Sequence, residues 1–210
     1  VDSYFGGENC SYVGTFIGIN VSNSSVENCY SNATTVGKYY CGGIAGETKG
    51  TVSNCLYNGK IKGTMNSNAI ASDRYNEGTI TNCYYNENCG LSSSRATAVT
   101  DDQLSSGEVA YLLNSDQSAI NWYQNVDKGE KDNAPTLSSE HYRVYKGDNI
   151  YTNDLDKHSH VYNKGVCDIC NKVCTHEKYE KGICIECNYG VEEPKLVDGY
   201  YEISSYGNLI

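Results

Sequence analysis

The chain has 210 residues, of which 39% are hydrophobic and 20% charged, and its formal net charge is −10. This length allows one large domain or two to three small ones. Arginine occurs only at Arg74, Arg95 and Arg143, and no basic run is present, so nucleic acid is not an expected partner. No apolar run approaches the roughly 18 residues that cross a bilayer, so direct membrane insertion is not expected. No signal segment opens the sequence, and we expect an internal fragment of a longer chain.

The first ninety residues contain a repeat with two anchors. The second anchor reads VENCYSN at 26–32, VSNCLYN at 52–58 and ITNCYYN at 80–86, with Asn-Cys pairs 26 and 28 residues apart. Upstream of each copy lies the first anchor, which reads GTFIG at 14–18, GGIAG at 42–46 and the degenerate NAIAS at 68–72. A unit this short cannot bury its own inner face, so the repeat predicts a β-solenoid of stacked turns.

Stacking places equivalent residues about 4.8 Å apart along the solenoid. We therefore predict an Asn ladder of Asn28, Asn54 and Asn82. We also predict a Cys ladder of Cys29, Cys55 and Cys83. Strict strand alternation would put neighbouring Asn and Cys side chains on opposite faces, so the ladders require a bend of the chain near each Asn. A thiol site, disulfides between turns and a small disulfide between Cys83 and Cys89 are alternatives.

The stretch GGIAGETKGTVSNCLYNGKIKG at 42–63 resembles the GLUG motif, a repeat found in large surface proteins and some surface-exposed peptidases of bacteria. The resemblance covers about residues 14–89 and is best in the second unit. It implies a structural and adhesive, adhesin-like role, either on the bacterial cell surface or as a secreted protein. It supplies no catalytic residues to carry over.

The composition changes after Cys89, and residues 100–156 are predicted to form a capping helix and a hairpin. The helix, over 100–114, opens with a capping box in which Thr100 is the N-cap and Gln103 lies three residues on. Together with Trp122 and Leu137, this helix is expected to cover the terminal turn of the solenoid. The hairpin is expected within 141–153. The predicted buried stripe of the helix consists of Leu104, Val109, Leu112 and Leu113.

Residues 157–190 contain two tandem modules rich in His and Cys, HSHVYNKGVCDIC at 158–170 and CTHEKYEKGICIEC at 174–187. Each offers four ligands, which suits a closed structural zinc site and leaves no open position for catalysis. A module this short cannot build an apolar core, so Zn²⁺ is the expected source of its stability. The predicted ligands are His158, His160, Cys167 and Cys170 in the first module, and Cys174, His176, Cys184 and Cys187 in the second.

Two other interpretations of these modules remain open at this point. One is a disulfide framework, which would leave the histidines unexplained. The other is a single zinc site made of Cys167, Cys170, Cys184 and Cys187. Residues 191–210 are expected to begin a further, truncated module.

The expected fold class is therefore mostly β, with solenoid repeats at 1–99, a helical cap and hairpin, and small metal- or disulfide-stabilised modules. The expected function is a non-catalytic structural or adhesive segment of a bacterial extracellular protein. Its partners would be a host or matrix glycan or protein, or neighbouring domains of the same chain. The alternative is an accessory region of a secreted glycan- or protein-degrading enzyme whose catalytic domain lies elsewhere. No catalytic motif is found, and His141 has no evident partner in the sequence.

Overall fold

A computed structural model describes residues 3–72, 77–163, 165–174, 179–180, 183–187, 195–197 and 199–202. The chain forms two compact units, Val1–Lys157 and His158–Ile210. Both are built mainly from strands, which confirms the predicted fold class. Among the described residues, no helix combines the length and apolar character required to span a bilayer.

The first unit contains a parallel β-solenoid of about three turns. The strands of the first turn are β1 (Tyr4–Gly6), β2 (Ser11–Val13), β3 (Ile17–Asn20), β4 (Ser25–Glu27) and β5 (Tyr30–Ser31). Those of the second are β6 (Thr34–Cys41), β7 (Ala45–Thr48), β8 (Thr51–Ser53) and β9 (Leu56–Tyr57). Those of the third are β10 (Ile61–Met65), β11 (Ala71–Ser72), β12 (Thr79–Thr81) and β13 (Tyr84–Asn86), and β14 (Thr97–Val99) then pairs with β13.

The strand register reproduces the sequence repeat. In the first anchor, both Ile17 and Ala71 pair with Ala45. In the second anchor, both Val26 and Ile80 pair with Val52. The copies recognised in the sequence are therefore consecutive turns of the solenoid.

Residues in the left-handed region of backbone conformation form two corners of the solenoid. Asn28, Asn54 and Asn82 have φ angles of 51°, 53° and 46°. Asn tolerates this region better than other non-glycine residues. The chain thus bends at each Asn, as the ladder prediction required. The second corner was not predicted, and its residues are Tyr12, Tyr40 and Asn66, with φ angles of 58°, 53° and 53°.

The predicted single helix is two helices, α1 (Asp101–Ser106) and α2 (Glu108–Ser115). They are separated by Gly107, whose φ of 94° ends α1. A side chain at this position would crowd Val126, because a Cβ would lie 2.8 Å from its Cγ2. The capping box of Thr100 and Gln103 is present as predicted.

The helical segment covers a side of the solenoid rather than only its end. Leu104, Val109 and Leu113 pack in one cluster with Leu56 of the second turn and with Trp122. Two expected contributors are less buried, because Leu112 is half-buried and Leu137 is 40% exposed.

Hydrogen bonds tie this segment to the first and third turns. The Trp122 indole Nε1 donates to the Asn28 Oδ1 at 3.2 Å. The Asn82 Nδ2 donates to the carbonyl oxygen of Leu113 at 3.1 Å. The segment therefore spans the solenoid from turn to turn, which corrects the expectation of a terminal cap. The predicted hairpin follows as β15 (Tyr145–Lys146) and β16 (Tyr151–Thr152), which pair antiparallel.

The second unit contains short antiparallel hairpins. The first pairs β17 (Tyr162–Asn163) with β18 (Val166–Cys167), and the second pairs β19 (Tyr179–Glu180) with β20 (Ile183–Cys184). In both, a Tyr lies opposite the first Cys of the C-x2-C motif. A third hairpin of β21 (Lys195–Val197) and β22 (Tyr200–Glu202) lies in the segment predicted to begin another module.

Candidate metal centre

Four predicted ligands of the first module converge, and we call them the first cluster: His158, His160, Cys167 and Cys170. Their ligand atoms all lie within 4.8 Å of one another. The His158 Nε2 lies 3.4 Å from the Cys167 Sγ, and the His160 Nδ1 lies 3.6 Å from the Cys170 Sγ. His158 and Cys167 are buried, whereas His160 and Cys170 are half-buried.

These distances fit a tetrahedral metal ion. Zinc binds sulfur at about 2.3 Å and imidazole nitrogen at about 2.0–2.1 Å, which places the two ligand atoms about 3.5 Å apart at a tetrahedral angle. The two His–Cys separations match that value. The first cluster therefore has the donor set and the spacing to hold a metal ion.

Hydrogen bonding favours the thiolate form of Cys167. Burial by itself raises the pKa of this thiol, but a hydrogen bond with His158, bonds with the backbone of Cys170 and Ile169 and a bond with His160 together lower it to about 5. Since the thiolate is the form that binds metal, this residue is prepared for coordination.

The backbone around Cys167 forms a tight knuckle. Gly165 takes a φ of 80° in the hairpin turn. The amide of Asn171 donates to the Cys167 carbonyl oxygen at 2.9 Å, and the amide of Asp168 donates to the Val161 carbonyl oxygen at 3.0 Å. These bonds hold Cys167 and Cys170 on the same turn, which is how a C-x2-C motif presents two ligands to one ion.

The second module brings together three of its predicted ligands, which we call the second cluster: Cys174, Cys184 and Cys187. All three are buried, and their sulfur atoms lie within 4.8 Å of one another. The Sγ atoms of Cys174 and Cys184 are 3.6 Å apart, close to the sulfur spacing of about 3.8 Å expected around zinc. The fourth predicted ligand, His176, lies outside the described residues.

The structure separates the alternatives left by the sequence. Cys167 and Cys170 converge with histidines, whereas Cys184 and Cys187 converge with Cys174, so they do not form one four-cysteine site. The 3.6 Å between Cys174 and Cys184 is also far beyond the sulfur–sulfur bond length of about 2.05 Å.

Tyr162 lies between the two clusters and was not singled out from the sequence. Its ring stacks on the His160 imidazole with centroids 5.4 Å apart. It also packs against the second cluster. Burial raises the pKa of the Tyr162 hydroxyl, and the nearby Cys174 and Cys167 thiols raise it further. The signal available in the sequence was the matching position of Tyr162 and Tyr179 in the two modules.

In the solenoid, the Asn ladder contains a direct contact between turns. The Asn82 Nδ2 donates to the Asn54 Oδ1 at 2.8 Å. Asn28 instead accepts the bond from Trp122. A second buried side-chain amide, that of Asn20, was not predicted as a site residue. It donates to the Thr48 Oγ1 and to the Thr51 carbonyl oxygen, each at 3.0 Å.

The three residues of the Cys ladder are free thiols that occupy equivalent positions. Cys55 and Cys83 are buried, and Cys29 is half-buried. The hydrogen bond with Cys55 lowers the pKa of the Cys29 thiol to about 7 against an opposing effect of burial. The pKa of Cys55 is raised, first by its hydrogen bonds with Cys29 and Cys83 and then by burial.

The other cysteines of the first unit are also free thiols. Cys83 and Cys89 are therefore not joined, which corrects the small disulfide considered for them. Cys41 had no counterpart in the sequence repeat, but it pairs with Val13 of the first turn, and its amide donates to the Ser67 Oγ at 3.1 Å. It is a buried core residue, whereas Cys10 is exposed.

His141 does have a partner, which the sequence did not reveal. Its Nδ1 lies 2.6 Å from the Asp132 Oδ2. The same carboxylate oxygen accepts a hydrogen bond from the backbone N–H of Asn125 at 2.7 Å. The pair joins two loop segments that follow the helices.

Comparison with known proteins returned no match of this chain to a family model, a curated protein or a solved structure.

Proposed function

We propose that this chain is a non-catalytic structural or adhesive segment of a bacterial extracellular protein, in which Zn²⁺ stabilises the two Cys/His modules. The observation that carries the metal part of the proposal is the convergence of four ligand atoms within 4.8 Å in the first cluster. A complete set of four protein ligands is typical of structural zinc and leaves no position for a substrate or a water.

The solenoid supports a structural role because its repeated polar and thiol residues are used inside the stack. The Asn ladder connects turns and the helical segment, and Cys55 and Cys83 are buried. Buried thiols are protected from oxidation, which is compatible with an extracellular setting. The resemblance of residues 42–63 to the GLUG motif agrees with such a setting.

An aromatic surface on the first two turns is the proposed adhesive face. The rings of Tyr12 and Tyr40 stack with centroids 4.8 Å apart and an interplanar angle of 10°. Tyr4 and Phe16, also on the first turn, are 59% and 52% exposed. Aromatic rings of this kind supply contact area to glycans and proteins at low entropic cost.

The backbone conformation at Tyr12 and Tyr40 favours Asn or Gly rather than Tyr, because both positions have a positive φ. A bulky side chain at a positive φ is uncommon, and such conformations concentrate at functional sites. The third residue of the same corner, Asn66, is a type that suits the conformation. Tyrosine at the two preceding positions is therefore explained better by contact with a partner than by backbone preference.

Metal content and thiol count test the proposal for the modules. Elemental analysis by mass spectrometry of the purified chain should give two zinc ions per molecule. Thiol titration of the denatured chain should give all eleven cysteines as free thiols once the metal is removed. A chain with no metal and almost no free thiol would contradict the proposal and indicate a disulfide scaffold.

Adhesion is tested with the double variant Y12N/Y40N. Asn suits the corner conformation, so this variant should keep its thermal unfolding midpoint within a few degrees while it loses the stacked rings. Binding of the wild type to immobilised mucin or collagen should fall at least tenfold in the variant. The matched control is Tyr142→Asn, which removes a 49% exposed ring elsewhere in the first unit. Equal binding by all three proteins would contradict the adhesive face.

A further inference from the structure

The strand that carries Cys167 also positions a ligand of the second cluster. Val166 forms an antiparallel bridge with Val173, next to Cys174. The Cys174 amide donates to the carbonyl oxygen of Gly165 at 2.8 Å. The chain that leaves the first cluster thus returns along β18 and delivers Cys174 to the second cluster.

Side-chain contacts join the same two places. The His158 and His160 rings meet edge to face with centroids 4.5 Å apart. His160 then stacks on Tyr162, which packs against Cys174, Cys184 and Cys187. One ring therefore contacts both a ligand of the first cluster and the ligands of the second cluster.

We infer that the two clusters bind metal cooperatively, with Tyr162 as the positioning residue that couples them. This inference rests on the proposed metal sites of the two modules. When the first cluster is filled, His160 is fixed, and the ring of Tyr162 and the strand pairing at Cys174 are fixed with it. Ordering that has already been completed for one ion lowers the entropic cost of binding the next ion.

The experiment is a titration of the full 210-residue chain with cobalt in the presence of a soluble chelator that competes for the ion. Binding is monitored by the thiolate-to-cobalt charge-transfer absorption. The band distinguishes the sites, because the first cluster contributes two thiolates and the second contributes three. The variant C184S/C187S isolates the first site, and C167S/C170S isolates the second. Trp122, the single tryptophan of the chain, lies in the first unit and reports whether that unit is folded in every variant.

Coupling is expected to be about tenfold and equal in both directions, since linkage between two binding sites is reciprocal. Cobalt affinity of the first cluster should therefore fall about tenfold in C184S/C187S. The affinity of the second cluster should fall by the same factor in C167S/C170S, relative to the wild type.

Tyr162 variants test the route of the coupling. Tyr162→Ala should still bind two cobalt ions. When Tyr162→Ala is combined with either isolating double variant, the cobalt affinity of the remaining cluster should differ by less than about twofold from its affinity in Tyr162→Ala alone. Tyr162→Phe keeps the ring and should retain the full coupling. Val161→Ala, which trims a neighbouring side chain that is 59% exposed, is the matched control and should behave as the wild type.

The outcomes separate this inference from the proposed function. No charge-transfer band in the wild type would overturn the metal sites themselves. Two bands with independent affinities would leave the metal sites in place and overturn the coupling. Loss of cobalt binding at both clusters in Tyr162→Ala would show that the ring is needed to fold the modules, and would overturn its assignment as the coupling residue.

Discussion

Cysteine is used in opposite ways in the two units. In the solenoid, Cys55 and Cys83 are small buried residues whose neighbours lie one turn away. In the modules, Cys167 and Cys184 converge with ligands from the same short segment. A stack of turns provides enough apolar surface to bury a protonated thiol, whereas a module of fewer than 20 residues does not. In our proposal, the same residue type therefore stabilises one unit by packing and the other through metal.

Removal of metal should give the largest difference in stability between the two units. Structural zinc contributes about 10–16 kcal/mol in small domains, so a strong chelator should unfold the modules completely. The solenoid should remain folded, because both groups of candidate metal ligands found among the described residues lie in the second unit. Limited proteolysis read by mass spectrometry should show new cleavage within residues 158–187, with unchanged Trp122 fluorescence. Unchanged protease resistance of the modules after chelation would contradict this division.

Truncation of the Trp122 side chain should instead destabilise the first unit and leave metal binding by the modules unchanged. Its side chain is fully buried and donates to Asn28, so Trp122→Ala should lower the free energy of unfolding of the first unit by about 3–5 kcal/mol. Urea denaturation followed by circular dichroism measures this loss. The control Leu137→Ala, at a position that is 40% exposed, should cost less than about 1 kcal/mol. A change in zinc content of the Trp122 variant would argue against independent stabilisation of the units.

Substitution of Asn54 should separate the contribution of the hydrogen bond between turns from that of the left-handed bend of the backbone. Asn54→Ala loses the hydrogen bond from Asn82 and puts Ala, which tolerates the left-handed region less well than Asn, at a φ of 53°, for an expected cost of about 2–3 kcal/mol. Asn54→Gly loses only the bond and should cost about 1 kcal/mol, because glycine accepts a positive φ. Thermal and urea unfolding of both variants measure the difference. If the two variants were equally stable, the bend would not be what selects Asn.

The smallest expected effect is a change in the reactivity of one thiol of the Cys ladder, that of Cys29. The pKa of Cys29 is lowered to about 7 from an ordinary value of 9.0, so its thiolate forms as the pH rises through about 7. A lowered pKa in the folded state means that the associated stability is complete above 9 and is lost as the pH falls through 7.

Cys55→Ala removes the hydrogen bond responsible, so the midpoint for alkylation of Cys29 should rise toward 9. Quantitative mass spectrometry after brief iodoacetamide treatment at pH 8 should then show severalfold slower labelling. Cys89→Ala replaces another buried thiol and is the control, with no change expected at Cys29. Equal midpoints in all three proteins would contradict the bond between Cys29 and Cys55.

The repeat and the ligand pattern could be predicted because each depends on residues near in sequence. The Asn-Cys spacing gave the register that pairs Val26, Val52 and Ile80, and the H-x-H and C-x2-C spacings gave the membership of the first cluster. Two features could not be predicted in this way. Gly107 ends the first helix with a positive φ, and Val126, distant along the chain, occupies the space that a side chain at this position would need. The partner of His141 is Asp132, which reaches it through the folding of two loops.

By itself the sequence determined the stacked turns and the bend at each Asn, because periodicity is a local constraint on the backbone, whereas the structure was needed to choose among the possible groupings of module ligands. Only the tertiary structure decided where the helical segment lies. Trp122 reaches Asn28 and Leu113 reaches Asn82, contacts that depend on the shape of the finished stack. The same is true of Tyr162, whose place between the two clusters follows from the return of the chain along β18.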